Sequence, residues 1–283
     1  MLAHQTEPLP FDAEVCAPPC RPTSGWLGPL LRRRQPPMAV ATTVRSADGV
    51  ALACVMIARS PERPALVYAH GFLSGKDHRS VPRFLAELSR SWSVYAFDFR
   101  GHGQSGGRCN FADGERADLS AVVDLARSGG HSVVMTVGSS MGGATAIRQA
   151  AICSQVNAVV TIGAYASASP LLRSSTQALL RLAFQRQLGG PLLRQAIGAH
   201  MGRLSLAEGQ PVDVIGQISP RPTLIVHGGL DPLIPVSDAY RLHEAGGPSS
   251  DLLVRPWHGH DQPHLSGDMA WRITAWARQR GVI

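Results

Sequence analysis

Ser140 stands at the centre of Gly138-Ser139-Ser140-Met141-Gly142, a Gly-x-Ser-x-Gly pattern. The apolar run Val134-Met135-Thr136-Val137 enters it, and an alanine-rich stretch from Ala144 to Ala151 leaves it. That context predicts a strand, a tight turn and a helix, with the serine strained at the carboxyl end of the strand. Small residues two places either side let strand and helix pack closely, and Gly138 and Gly142 supply them. A serine presented in this way can attack an acyl carbon if three helpers are at hand. It needs a base to take its proton, a carboxylate to orient the base, and two amide donors for the oxyanion that develops.

Candidates for the base and the carboxylate lie downstream. Pro222 to Val226 reads as a strand, and His227-Gly228-Gly229-Leu230-Asp231-Pro232 follows, which puts Asp231 just past a strand end. Beyond a last strand, Leu252 to Arg255, comes Pro256-Trp257-His258-Gly259-His260-Asp261, which offers two histidines, His258 and His260. Asp238 and Asp261 are further carboxylates, but neither holds a strand-end position like that of Asp231. Ser139 shares the turn with Ser140, yet it fills the variable place of the pattern and is expected to face away.

The elements that must position these groups alternate along the chain. Val40 to Arg45 and Val50 to Ala58 are β-rich runs around Asp48-Gly49, an antiparallel hairpin signal. Ala65 to Ala69 is a buried strand that runs into His70-Gly71-Phe72-Leu73-Ser74-Gly75. Val81 to Ser89 has helical spacing, Val94 to Phe97 is a strand ending at Asp98, and Glu115 to Arg127 is a helix. Ala158 to Ile162 is another strand, and Met269 to Arg280 closes the chain as a helix. This order implies an α/β domain over 39–283, with a mostly parallel twisted sheet of about eight strands and helices on both faces. An insertion at about 166–215 interrupts the alternation, is largely helical in pattern, and is expected to form a small cap. Residues 1–38 are proline-rich and form an N-terminal arm.

On its motifs the chain resembles the α/β-hydrolase fold superfamily, serine hydrolases of the esterase and lipase kind. These motifs are the His70-Gly71 turn, the Arg100-Gly101-His102-Gly103-x-Ser105 loop, the serine turn, the segment ending at Asp231, and the Gly259-His260 pair. The resemblance implies Ser140 as nucleophile, His260 rather than His258 as general base and acid, and Asp231 as its orienter. It also implies an oxyanion hole from the backbone N–H groups of Phe72 and Met141, and it reads His70 and His102 as residues that fix loops. Haloalkane dehalogenases and epoxide hydrolases of this fold carry aspartate at the elbow, so serine leaves hydrolysis of an ester, a thioester or an amide. No cofactor or metal is implied. A ligand-binding protein that keeps the pocket without the chemistry is the alternative.

Composition narrows the field further. The formal charge is +7, but 26 of the 27 basic residues are arginines scattered along the chain, and no nucleic-acid motif accompanies them. Five arginines (Arg173, Arg181, Arg186, Arg194 and Arg203) and no acidic residue fall between Tyr165 and Ala207. Such a cap either favours an anionic or lipid-like substrate, or is simply solvated. Gly25 to Leu31 followed by three arginines could touch a membrane surface, or lie on its own domain. The five cysteines are spread out and read as reduced structural thiols. With no apolar run near the roughly 20 residues that span a bilayer and no basic-then-apolar leader, a cytoplasmic protein acting on a small-molecule acyl substrate is expected. The oligomeric state is not legible.

Overall fold

The computed structural model describes residues 32–111, 113–168, 199–200, 202 and 209–283. The N-terminal arm up to residue 31 and most of the expected cap, with all five of its arginines, lie outside the described residues.

Among the described residues, eight strands form one sheet in the order β1-β2-β4-β3-β5-β6-β7-β8. They are β1 (Ala39–Arg45), β2 (Ala51–Ile57), β3 (Ala65–Ala69), β4 (Ser93–Phe97), β5 (Val134–Ser139), β6 (Ala158–Ile162), β7 (Thr223–Gly228) and β8 (Ser250–Arg255). Only β2 runs against its neighbours, pairing antiparallel with both β1 and β4, and every pair from β4 to β8 is parallel. The expected hairpin and parallel sheet are therefore present. The described α-helices are α1 (Val81–Leu88), α2 (Asp113–Ser128), α3 (Met141–Ile152), the single turn α4 (Pro211–Val214), α5 (Val236–Gly246) and α6 (Gly267–Gln279).

Alternation along the central strands sorts the core into two layers, as the two-residue period of a strand requires. Val67 and Ala69 of β3 and Phe97 of β4 face a layer shared with Leu119, Val122 and Val123 of α2, Ile147 of α3 and Leu242 of α5. Leu66 and Tyr68 of β3, Val137 of β5 and Val160 of β6 face the other layer, with Phe84 and Leu85 of α1 and Ile273 and Trp276 of α6. Each fully buried side chain of this size contributes roughly 1.5–3 kcal/mol. The crossovers thus hold both faces while the carboxyl ends of β3, β5, β7 and β8 stay at one rim.

Helix α5 had no counterpart in the sequence reading, and the turn α4 falls at the end of the insertion expected to be helical. α5 buries only Asp238, Ala239, Leu242 and Gly246, a stripe too thin and too polar to stand out as an apolar period. α4 continues into a 3₁₀ turn, Ile215–Ile218, and the buried Ile215 and Ile218 join the α3 side of the core. Residues 32–36 lie along the loop after β3: Arg33 N–H donates to Asp77 O at 2.8 Å, and Gln35 Nε2 donates to Lys76 O at 2.8 Å. Among the described residues, no helix is long and apolar enough to cross a membrane.

Candidate active site

The turn between β5 and α3 holds Ser140 at φ +49°, ψ −116°. A side chain rarely adopts that conformation, because Cβ crowds the neighbouring carbonyl, and surrounding structure must hold it there. The surroundings do so through close packing. A Cβ on Gly138 would run into Gly142 O, and one on Gly142 would run into Ala69 O at the end of β3. Ser140 N–H donates to Ile162 O of β6 at 2.8 Å, and Ser140 O accepts from Ala144 N–H at 3.0 Å to open α3. Ser139 points the other way, fully buried, with its Oγ 3.2 Å from the Tyr68 hydroxyl.

His260 reaches this serine from the loop after β8. Its Nε2 lies 2.9 Å from Ser140 Oγ, and its Nδ1 lies 2.6 Å from Asp231 Oδ2. An ionised carboxylate only accepts, so Nδ1 carries the hydrogen and the Nε2 lone pair faces the serine hydroxyl. The other Asp231 oxygen accepts from the amides of Leu233 at 2.8 Å and Ile234 at 3.0 Å, and the carboxylate is wholly shielded from solvent. Burial pushes the Asp231 carboxyl up, but the bonds from His260 and the Ile234 amide outweigh it and hold it below the usual range. Burial likewise pulls His260 down, and its bond to Asp231, with the charges of Asp261 and Asp231, more than reverses this.

Backbone contacts fix the two loops to each other. Gly229 N–H donates to Arg255 O at 2.9 Å and Leu230 N–H to His258 O at 3.0 Å, while a Cβ on Gly228 would run into His258 O and Gly259 O. Gly163, at φ +63°, lies beneath the pair; a Cβ there would be 3.4 Å from the His260 ring and 3.6 Å from Asp231 Oδ2. His258, the other histidine of the loop, is turned to His264, with ring centroids 5.2 Å apart. Asp238 is occupied elsewhere, its Oδ2 accepting from Ala166 N–H at 2.9 Å where the insertion begins.

The turn after β3 abuts the serine from the opposite side. A Cβ on Gly71 would lie 3.3 Å from Ser140 Cβ, so the amide of Phe72 follows directly on the contact. The amide of Met141 opens α3, where helix geometry leaves the first N–H groups without intrahelical acceptors and directs the dipole's positive end at the turn. His70 and His102 both bond to backbone. His70 Nε2 accepts from Phe99 N–H at 2.9 Å and its Nδ1–H donates to Gly71 O at 2.7 Å. His102 Nε2 accepts from Leu73 N–H at 3.3 Å, and burial holds its ring down at about 3, so it stays neutral.

Charge pairs stiffen the same turn from below. Asp98 Oδ1 accepts from Lys76 N–H at 2.8 Å and its Oδ2 from Gln104 N–H at 2.9 Å and Lys76 Nζ at 3.1 Å. Arg100 pairs with Asp118 at 2.7 Å and with Asp48 at 2.7 Å, which ties the loop after β4 to α2 and to the opening hairpin. Gly101, at φ +71°, takes a position where a Cβ would run into His200 O, so the far end of the insertion returns onto this loop. His200 N–H donates to Gly101 O at 2.7 Å and Cys109 N–H to His200 O at 2.9 Å.

His227, at the end of β7, is a residue of the site to which the sequence pattern assigns no role. Its Nε2 donates to Ile234 O at 3.0 Å and lies 3.5 Å from Asp231 Oδ2, so it clamps the turn that carries the carboxylate. Its place four residues before Asp231, at the mouth of a buried strand, was the available signal.

A model of the α/β hydrolase fold family matches residues 64–191. The uncharacterized protein YqkD of Bacillus subtilis (strain 168) is 34% identical over 166 residues, covering 56% of this chain and 52% of that protein. The chain thus spans about half the length of the curated relative it matches. Among solved structures, the Pyrococcus furiosus esterase Pf2001 superposes with a TM-score of 0.68 at 19% identity, over 86% of this chain and 91% of that one. DcsB in complex with its substrate analogue gives 0.68 at 19% identity over 86% and 99%, and a putative aryl esterase from Burkholderia cenocepacia gives 0.64 at 19% over 85% and 99%. At such identities the likeness is one of fold, and it covers a larger share of the chain than the family match does. The chain has the α/β-hydrolase fold.

Proposed function

We propose that the protein is a serine hydrolase that cleaves a carboxylic ester through an acyl-serine intermediate, with Ser140, His260 and Asp231 as its triad. The observation that carries this reading is the continuous chain from Ser140 Oγ to His260 Nε2 at 2.9 Å and from His260 Nδ1 to Asp231 Oδ2 at 2.6 Å, with the serine strained at φ +49°. The esterase names of several structural neighbours support it, as does the serine at the elbow.

In this mechanism Ser140 Oγ attacks the acyl carbon while His260 Nε2 takes its proton. The charge left on the carbonyl oxygen is met by the amides of Met141 and Phe72, and loss of one such donor typically costs about 3 kcal/mol. His260 then hands its proton to the departing alkoxide. Water repeats the sequence on the acyl-serine, giving its proton to His260 and releasing the acid. Asp231 keeps Nδ1 protonated throughout and stabilises the imidazolium. The same steps serve a thioester, an amide or an acyl acceptor other than water. The chain's own residues complete the cycle with a small-molecule acyl substrate and no cofactor.

The test is turnover of a p-nitrophenyl ester series from acetate to palmitate by the native protein and by Ser140→Ala, with a fluorophosphonate probe in parallel. Serine-dependent turnover, with labelling at Ser140, supports the reading, and its chain-length optimum sizes the acyl pocket. Labelling without ester turnover redirects it to a thioester or amide. Neither labelling nor turnover favours a ligand-binding protein on the same fold.

A further inference from the structure

Asp261 directly follows His260, and the acyl-transfer steps above give it no part. It is a carboxylate only 7% exposed. Such groups are seldom buried, because a buried charge must be opposed by others. Its location is set by the turn after β3. A Cβ placed on Gly71 would lie 2.9 Å from Asp261 Oδ2, 3.3 Å from Ser140 Cβ and 3.5 Å from Ser139 O. The carboxylate, the nucleophile and the Gly71-Phe72 turn therefore converge on one point, and only a glycine at 71 leaves room for all three.

We propose that Asp261 is a second positioning carboxylate of this site, whose negative charge, set against the Gly71 turn that also abuts Ser140, stabilises the imidazolium that His260 becomes when Ser140 surrenders its proton. The inference rests on the triad reading and deepens it. A like arrangement with Asp231 alone would oppose the imidazolium charge from the Nδ1 side only. Asp261 supplies a second field from the side of the serine and the oxyanion turn, where the proton is transferred.

Among the described residues, the groups around His260 come from the turn after β7, the elbow, the end of β6 and its own loop. Asp231 faces it from the turn after β7, Ser140 from the elbow, and the backbone of Gly163 from the end of β6. On its own loop stand Asp261, His258 and His264, and His264 is held by burial at about 4 and so stays neutral near pH 7. Tyr68 of β3 lies within the field of Asp261; burial first, and that charge as well, push its hydroxyl up, so it too is uncharged. Asp261 and Asp231 both act to raise His260, against the burial that lowers it.

The experiment follows the His260 ring by NMR through a pH titration of the full chain carrying Ser140→Ala, with and without Asp261→Asn, alongside the pH profile of kcat/KM for the Asp261 variants with Ser140 intact. Asp261→Asn is expected to lower the titration midpoint of His260 by about one pH unit, move the acid limb of kcat/KM the same way, and be reversed by Asp261→Glu. An unmoved midpoint overturns the inference, as does an equal shift in the asparagine and glutamate variants, which would trace it to shape. If Asp261→Asn does not fold, Gly71→Ala displaces the same carboxylate and must lower the same midpoint; no change there also overturns it. Absence of turnover and of serine labelling in the native protein would defeat the hydrolase reading while the histidine titration still reported on Asp261.

Discussion

Replacing Asp231 by asparagine removes a charge without changing the shape of the side chain, and the structure says how the amide must orient. Asp231 Oδ1 accepts two backbone bonds, from Leu233 and Ile234, so the asparagine oxygen is held there and its NH₂ is turned to His260 Nδ1. Two donors cannot face each other, so the imidazole shifts its hydrogen to Nε2 and presents N–H, not a lone pair, to Ser140. The base is then in the wrong tautomer for proton removal. A loss of about 10⁴-fold in kcat is expected, or about 5 kcal/mol in the transition state. The native acid limb follows from the raised His260: the base works when neutral, so kcat/KM falls as pH drops through a midpoint above the ordinary histidine value. In Asp231→Asn that limb moves to lower pH, because the bond that favours the imidazolium is gone. Steady-state kinetics from about pH 5 to 9, with circular dichroism to verify the fold, make the measurement. A loss below about tenfold, in a folded variant, would refute the assignment of Asp231 as the orienter.

Further outcomes follow from the same geometry. Ser140→Gly and Ser140→Ala should both be inactive, but the glycine variant should be the more stable in urea by about 1 kcal/mol, since only it relieves the left-handed backbone. Gly142→Ala should cost more than about 3 kcal/mol or prevent folding, because its Cβ meets β3 backbone that cannot yield. Arg100→Ala strips the partner from the fully buried Asp118 and should cost about 3–5 kcal/mol in urea unfolding, with Arg100→Lys recovering only part of it. The Asp231–His260 pair also has a sign in pH. Asp231, held below its usual range, adds stability above about pH 4 that is lost on acidification, and His260, held above its usual range, adds stability below about pH 6.5 that is lost as pH rises through its folded value. The stability gap between native and Asp231→Asn should therefore be widest between those limits, as read from urea midpoints across pH. Outside the described residues, neutralising Arg181 and Arg186 should raise KM for an anionic ester and leave a neutral one alone; equal effects on both would remove the idea of an anion-favouring cap.

Local pattern carried the reading wherever one stretch of chain decides its own shape. The buried runs of β3, β5 and β6 could be read from their apolar residues; β3 and β6 keep the bounds read for them, and β5 runs two residues further, to Ser139. Gly138 and Gly142 announced the elbow because close packing of a strand on its own following helix is a local demand. α5 was missed because half of its buried stripe is Asp238 and Gly246, and what buries Asp238 is the Ala166 amide of a distant segment.

What the sequence by itself determined was the alternation that makes the parallel sheet, the strained serine turn, and a short list of partners for that serine. The resemblance already pointed to His260 and Asp231, but the distances that bring them within reach of Ser140 only the tertiary structure decided. His258 and His260 are two residues apart, and their separation depends on the β8 loop crossing Gly228, which turns one ring to His264 and the other to Ser140. Asp261 was a spare carboxylate in the sequence, and it gained a place beside the Ser140 turn only because Gly71, 190 positions earlier in the chain, has no Cβ to fill the space there. Contacts of that kind join loops from opposite ends of the chain, and no local period or motif encodes the distance between them.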